Sequence, residues 1–181
     1  VIPNGVNPLL FKNNKPARDI DVLGVGSLIP LKQYDLFIDI IKAISYRYPS
    51  IKAVVAGKGP EENKLRKKTG QLKLENNIAL AGEKSHPEVL ELMQRSKIFL
   101  HPSSYEGFCT VCLEALYAGA QVISFCNPGI GKINHWHFVK TKEEMLQKAL
   151  EILQEKEINH DRVLVYSMKE NAENMMKLFY D

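Results

Sequence analysis

The sequence predicts an α/β domain: a parallel sheet covered by helices on both faces. Two observations predict it. Short apolar runs such as Val54-Val55-Ala56 and Ile98-Phe99-Leu100 lack the polar alternation of a half-buried strand, so both faces of their sheet are covered. Between such runs lie stretches of helical length, joined by short links and without an internal repeat.

Taken in order, residues 1–18 are rich in Pro, Asn and Lys and read as a linker and surface loop. Residues 21–27 give the first strand. Tyr34, Phe37, Ile38, Ile41 and Ile44 share one helical face, which predicts a helix over 32–48, closed by Pro49. Residues 51–56 form the second strand, and Gly57-Lys58-Gly59-Pro60 its exit turn. A charged helix follows over 61–72. Its Lys64, Arg66, Lys67 and Lys68 read as a solvated face, with a surface for anionic lipid or a partner domain as the alternative. The third strand spans 78–81. Pro87 suits the first turn of a helix over 86–95, with Val89, Leu90 and Met93 inward. The fourth strand spans 98–100, a central helix 111–118 and the fifth strand 122–125. Helices then cover 142–156 and 159–181, the latter with Ala172, Met175, Met176 and Phe179 as a packing stripe.

Composition narrows the function. Hydrophobic residues at 45% and charged residues at 25% are the balance of a globular protein. A net charge of +3 is too mild for a nucleic-acid partner. No apolar run approaches the roughly 20 residues of a transmembrane helix. Three cysteines, Cys109, Cys112 and Cys126, fit a reducing compartment. The expected location is cytoplasmic, with peripheral membrane contact left open. The chain begins at Val1, inside a motif, and is expected to be part of a longer protein.

The most informative stretch runs from Ser103 to Gly119. A strand, a turn holding Glu106, Gly107 and Phe108, and a helix N-terminus make an anion site. Glu106 and Glu114 bracket it. On one continuous helix they would be offset by roughly 80° and about 12 Å, a poor pair for one small ligand. With Glu106 in the turn and Glu114 on the helix, both can face one crevice, Glu114 accepting hydrogen bonds from a hydroxylated neighbour such as a ribose. Spacing alone equally allows Glu114 as a solvated helix residue and Glu106 as a helix N-terminal acid.

Y-E-G-F-C-T-V-C-L-E-A-L-Y-A-G-A-Q-V-I closely resembles the E-x7-E segment of retaining glycosyltransferases of family 4, which have the GT-B fold of two Rossmann-like domains facing a cleft. I-P-N-G-V-N at the start resembles the lead-in to that family's C-terminal domain. V-G-S-L-I-P-L-K resembles its first strand and phosphate loop, and V-V-A-G-K-G-P and I-A-L-A-G its next two strand ends. The resemblance implies the C-terminal half of a GT-B fold. Residues 1–18 would be the interdomain passage and loop and 19–181 the nucleotide-sugar-binding domain, with the N-terminal acceptor-binding domain absent from this chain. It implies a nucleoside diphosphate sugar as donor, with no metal and no further cofactor.

By the same resemblance Glu106 is the catalytic residue, orienting the transferred sugar and stabilising positive charge at its anomeric carbon. Glu114 binds the donor ribose. Ser27, Lys32 and the amides around Gly107, Phe108, Cys109 and Thr110 hold the diphosphate, while Gly82 to Lys84 border the base. Two departures stand out. Ser27 occupies a position where the family often has Arg, and the turn at 127–132 matches the family's Gly-rich turn poorly.

Competing readings are a GT-B sugar-nucleotide epimerase and a non-catalytic nucleotide-binding module. Cys109-Thr110-Val111-Cys112 is formally a redox C-x-x-C, although such a pair needs fold context to mean anything. Asp19-Ile20-Asp21 spells D-x-D but lies at the wrong end of a parallel sheet for ligand binding. His135-Trp136-His137 offers two imidazoles on one side of an extended chain, without an apparent third metal ligand.

Overall fold

The computed structural model describes residues 5–13, 16–107, 109–127, 129 and 131–180. Its strands are β1 (Ile20–Val25), β2 (Ala53–Ala56), β3 (Ile78–Gly82), β4 (Ser96–His101), β5 (Gln121–Ser124) and β6 (Trp136–Phe138). All pair in parallel, in the spatial order β3-β2-β1-β4-β5-β6. The helices are α1 (Tyr34–Ser45), α2 (Glu62–Gln71), α3 (His86–Gln94), α4 (Thr110–Tyr117), α5 (Lys142–Gln154) and α6 (Met168–Tyr180). The chain winds outward from β1 to β3, then returns through α3 to add β4 on the other side of β1. That reversal opens a crevice beyond the C-terminal ends of β1 and β4, where ligands of open α/β sheets bind.

Alternation along each strand divides the core in two. Val22, Ile98, Leu100 and Ile123 face one way and pack with Phe37, Ile41 and Ile44 of α1 and Met145 and Ile152 of α5. Their neighbours Leu23, Phe99 and Val122 face the other way, against Leu90 and Met93 of α3 and Cys112 and Leu116 of α4. Each such side chain contributes about 2 kcal/mol of hydrophobic burial. Capping supports the termini. The Ser85 amide donates to the Glu88 carboxylate at 2.8 Å at the start of α3, and the Glu144 amide donates to Thr141 Oγ1 at 3.1 Å at the start of α5.

Four differences from the sequence reading have physical causes. The first helix begins at Tyr34 because Pro30–Lys32 form a 3-10 turn and Gln33 takes a left-handed φ of 50°. The edge strand β6 was not expected. It is held by its ladder to β5 and by Trp136 Nε1 donating to Ser124 Oγ at 2.8 Å. Residues 159–167 are not helical. Val163, Val165 and Tyr166 pack on the second core face, the Val163 amide donates to the Leu116 carbonyl at 3.3 Å, and the Val6 amide to the Tyr166 carbonyl at 2.8 Å. Met175 and Met176 of α6 are about half exposed, at 49% and 54%, and are not core packing; the side chain of Phe179 lies outside what is described.

The described part of residues 1–18 packs on the domain through buried Val6 and Phe11, the latter edge-on to Tyr117 with ring centroids 4.9 Å apart. The charged face of α2 is largely internally paired: Lys64 with Glu61 at 2.7 Å, Arg66 with Glu62 at 2.8 Å and Lys68 with Asp39 at 2.6 Å. These exposed pairs contribute little to stability.

The exit turns of β1 and β2 lie in backbone contact. Gly57 has φ +153°, and a Cβ there would sit 1.9 Å from the Gly26 carbonyl oxygen. Gly57→Ala is therefore expected to force the two turns apart and destabilise the fold by about 2 kcal/mol. Urea denaturation would show it as a lowered midpoint, and an unchanged midpoint would contradict the close approach.

Candidate functional site

The loop after β1 and the loop after β4 meet over the crevice. The Ser104 amide donates to the Leu31 carbonyl at 3.0 Å, and Ser103 Oγ donates to the same carbonyl at 3.3 Å. This tie places Lys32 and Glu106 together, and Lys32 Nζ donates to Glu106 Oε1. His101, at the C-terminal end of β4, completes the cluster: its Nε2 lies 2.9 Å from the same carboxylate oxygen. Its ring is 2% exposed and stacked on Phe99 at 6.1 Å.

Burial is the largest influence on Glu106 and opposes ionisation. The hydrogen bond from Lys32 and the charges of His101 and Lys32 outweigh it, so the carboxyl lies below the usual range. Burial lowers the pKa of His101, against the attraction of Glu106. A neutral imidazole facing a carboxylate must donate, so the proton sits on Nε2. Glu106 is thus a carboxylate held ionised by one cation and one fixed neutral donor.

Two pockets flank this cluster. One, of about 220 Å³, is lined by Glu106, Gly107, Cys109, Cys126, Gly129 and Trp136 among others. The other, of about 210 Å³, lies at the exits of β1, β2 and β3, with Gly26, Ser27, Gly57, Lys58, Glu83 and Lys84 in its wall. The Lys32 stem runs beside the second, since a Cβ built on Gly26 would lie 3.7 Å from Lys32 Cε. Gly82 ends β3 in a left-handed turn of φ +70°, and its carbonyl accepts from the Gly57 amide at 2.8 Å. Helix α4 starts at Thr110 without a side-chain cap on Cys109. Phe108 lies outside the described residues.

Glu114 sits apart from the Glu106 cluster. Its Oε1 lies 2.7 Å from Nε2 of His86, the first residue of α3. Neither His101 nor His86 was singled out in the sequence. The position of His101, immediately after an apolar run that ends a parallel strand, was the available signal; His86 offered none.

The other candidates resolve into structural roles. Asp19 pairs with Arg95 at 2.5 Å and Asp21 with Lys97 at 2.7 Å, at the N-terminal end of the sheet. His135 has a left-handed φ of 64° and precedes β6, so it does not share the extended geometry of His137. His137 Nε2 instead lies 3.0 Å from Gln121 Oε1. Among the described residues, neither belongs to a cluster of metal-ligating atoms.

Three histidines have depressed pKa values. Burial, then the charge of Lys148, holds His137 down to about 4; burial lowers His101; and burial followed by Arg18 lowers His160. Each is neutral in the fold at pH 7 but titrates near 6.5 when unfolded. The unfolded chain thus binds more protons below that value, so stability is lost as pH falls from about 6.5 towards 4. The melting temperature should fall steadily from about pH 7 to about pH 5, and His137→Gln should flatten the slope. A slope unaltered by that substitution would show that His137 is not a source.

Residues 7–175 match the family model of the glycosyl transferases group 1. The chain belongs to that family. Its human relative, one of the subunits of phosphatidylinositol N-acetylglucosaminyltransferase, is 30% identical to this group 1 chain over 182 residues, covering 99% of it and 37% of the human protein. The gpi3 subunit of the corresponding transferase of Schizosaccharomyces pombe is 31% identical over 156 residues, covering 83% of this chain and 34% of its own. The chain therefore spans about a third of the length of these relatives. Among solved structures, the pneumococcal O-GlcNAc transferase GtfA in complex with UDP and GlcNAc superposes with a TM-score of 0.82 at 18% identity, over 96% of this chain and 38% of that one. TarM of S. aureus gives a TM-score of 0.85 at 20% identity, over 100% and 39%. The fold is that of a Rossmann-like half of GT-B glycosyltransferases.

Proposed function

We propose that this chain is the donor-binding half of a retaining sugar transferase of family 4, with residues 1–18 leading in from an acceptor-binding half. The observation that carries the proposal is the Lys32–Glu106–His101 cluster at the reversal point of the sheet, between two pockets. In this reading the nucleotide occupies the pocket beside Ser27, Gly82 and Lys84. The diphosphate lies along Lys32 and the start of α4, and the sugar lies against Glu106. As the glycosidic bond breaks, the diphosphate gains negative charge. Fixed donors that strengthen with that charge, Lys32 and the amides around Gly107 to Thr110, lower the barrier. Glu106 opposes the positive charge appearing at the anomeric carbon, and His101 holds its carboxylate in place.

The names of the human and fission-yeast relatives support N-acetylglucosamine as the sugar and a lipid-linked acceptor. UDP-N-acetylglucosamine is thus the first donor to test, with GDP- and ADP-sugars for comparison. The phosphate site uses a helix N-terminus and a lysine, so binding should not need a divalent cation. Calorimetry with EDTA, and separately with Mg2+ or Mn2+, should give the same affinity. A loss of about tenfold in EDTA, or no binding of any nucleotide sugar, would overturn the reading.

A further inference from the structure

Behind Glu106, on the side away from Lys32, lies a group of side chains that sugar transfer does not use. His101, Cys109 and Cys112 are all buried, and their ligand atoms lie within 4.8 Å of one another. All three cysteines are free thiols. The sequence gives C-x-x-C at the start of α4; the fold brings His101 to it from the end of β4. The three are fixed by rigid elements: His101 by its strand and its stack on Phe99, Cys112 by the first turn of α4, and Cys109 by preceding that helix.

We infer that His101, Cys109 and Cys112 form a binding site for a thiophilic divalent cation, Zn2+ foremost. Thiolate and imidazole ligands select such ions over Mg2+ and Ca2+. Tetrahedral zinc, with bonds of about 2.3 Å to sulfur and about 2.0 Å to nitrogen, places its ligands about 3.5–3.8 Å apart, inside the observed envelope. The surroundings also suit a metal-binding imidazole. Such rings commonly donate their second N–H to a carboxylate, and His101 Nε2 already meets Glu106. Nδ1 is the nitrogen left for the ion. Cys109 also lines the 220 Å³ cavity, which supplies a route in and leaves the fourth position to water or to Cys126. Binding the ion expels one proton from each thiol, so charge balances as a neutral bis-thiolate complex. The site ties the end of β4 to the start of α4, and its occupancy stiffens the loop that carries Glu106.

The test uses the whole chain in a phosphine reductant that keeps the thiols free. Titration with Co2+ should give the intense visible bands of a tetrahedral complex and the near-ultraviolet bands of thiolate bound to cobalt, saturating at a single equivalent. Zn2+ should displace them, release one proton per thiol in buffers of different ionisation enthalpy, and raise the melting temperature. Cys109→Ser and Cys112→Ala should each abolish the thiolate bands, with melting curves confirming that the variants are folded. If either variant fails to fold, the proton count on the unaltered chain still decides. A pale octahedral cobalt spectrum, proton release that does not match two thiols, or bands that survive in both folded variants would overturn the site.

Discussion

Lys32→Met should weaken binding of UDP by about 10- to 100-fold while leaving uridine affinity unchanged, because a charge-assisted hydrogen bond contributes about 1.5–3 kcal/mol. Methionine keeps most of the stem that passes Gly26 but removes the ammonium. The effect should be large because Ser27 stands where a second cation would share the diphosphate. The substitution also strips Glu106 of the hydrogen bond that offsets its burial, so its carboxyl should titrate higher. Calorimetry with uridine, UMP and UDP separates the contributions. Equal losses for uridine and UDP would mean that Lys32 shapes the base pocket and does not hold phosphate.

The fold was legible because its determinants are local and periodic. The apolar runs at 54–56 and 98–100 and the spacing of Phe37, Ile41 and Ile44 report burial directly. Elements without that signature were missed. Three residues suffice for β6, and Trp136-His137-Phe138 carries no alternation that periodicity can detect. Residues 159–167 were assigned to a helix because a helix follows, yet they cross the sheet as an extended strap whose partners, Val6 and Leu116, are far away in sequence. The site divides in the same way. Glu106 and Glu114 stand at a readable spacing, whereas the partners that set their chemistry, Lys32, His101 and His86, reach them through tertiary contacts. The spacing of Cys109 and Cys112 was visible, but its third neighbour His101 comes from the preceding strand. Short-range pattern exposes the reactive groups; the reversal of the sheet chooses their neighbours.

Those neighbours imply that Glu106→Gln and Glu114→Gln should fail in different ways. Glutamine at 106 keeps the shape, and its amide oxygen can still accept from His101. It cannot oppose positive charge at an anomeric carbon. Plain nucleotide does not reach that end of the site, so UDP affinity should stay within about threefold of the unaltered chain. Turnover, in a form of the protein competent for transfer, should fall by about 100- to 1,000-fold, the scale of removing one fixed electrostatic partner of a transition state. Glutamine at 114 acts on the nucleotide end. The carboxylate of Glu114 is 18% exposed and faces His86 at 2.7 Å, so a ribose must share it with that imidazole or displace the ring. The amide has one acceptor oxygen and adds a competing donor. UDP and uridine affinity should therefore both drop by about 10- to 100-fold, with turnover at saturating donor changed far less. The double comparison is decisive because the two substitutions are chemically identical. Equal losses of UDP affinity in both variants would mean that the two carboxylates serve one end of the donor, and that the split between sugar and ribose is wrong.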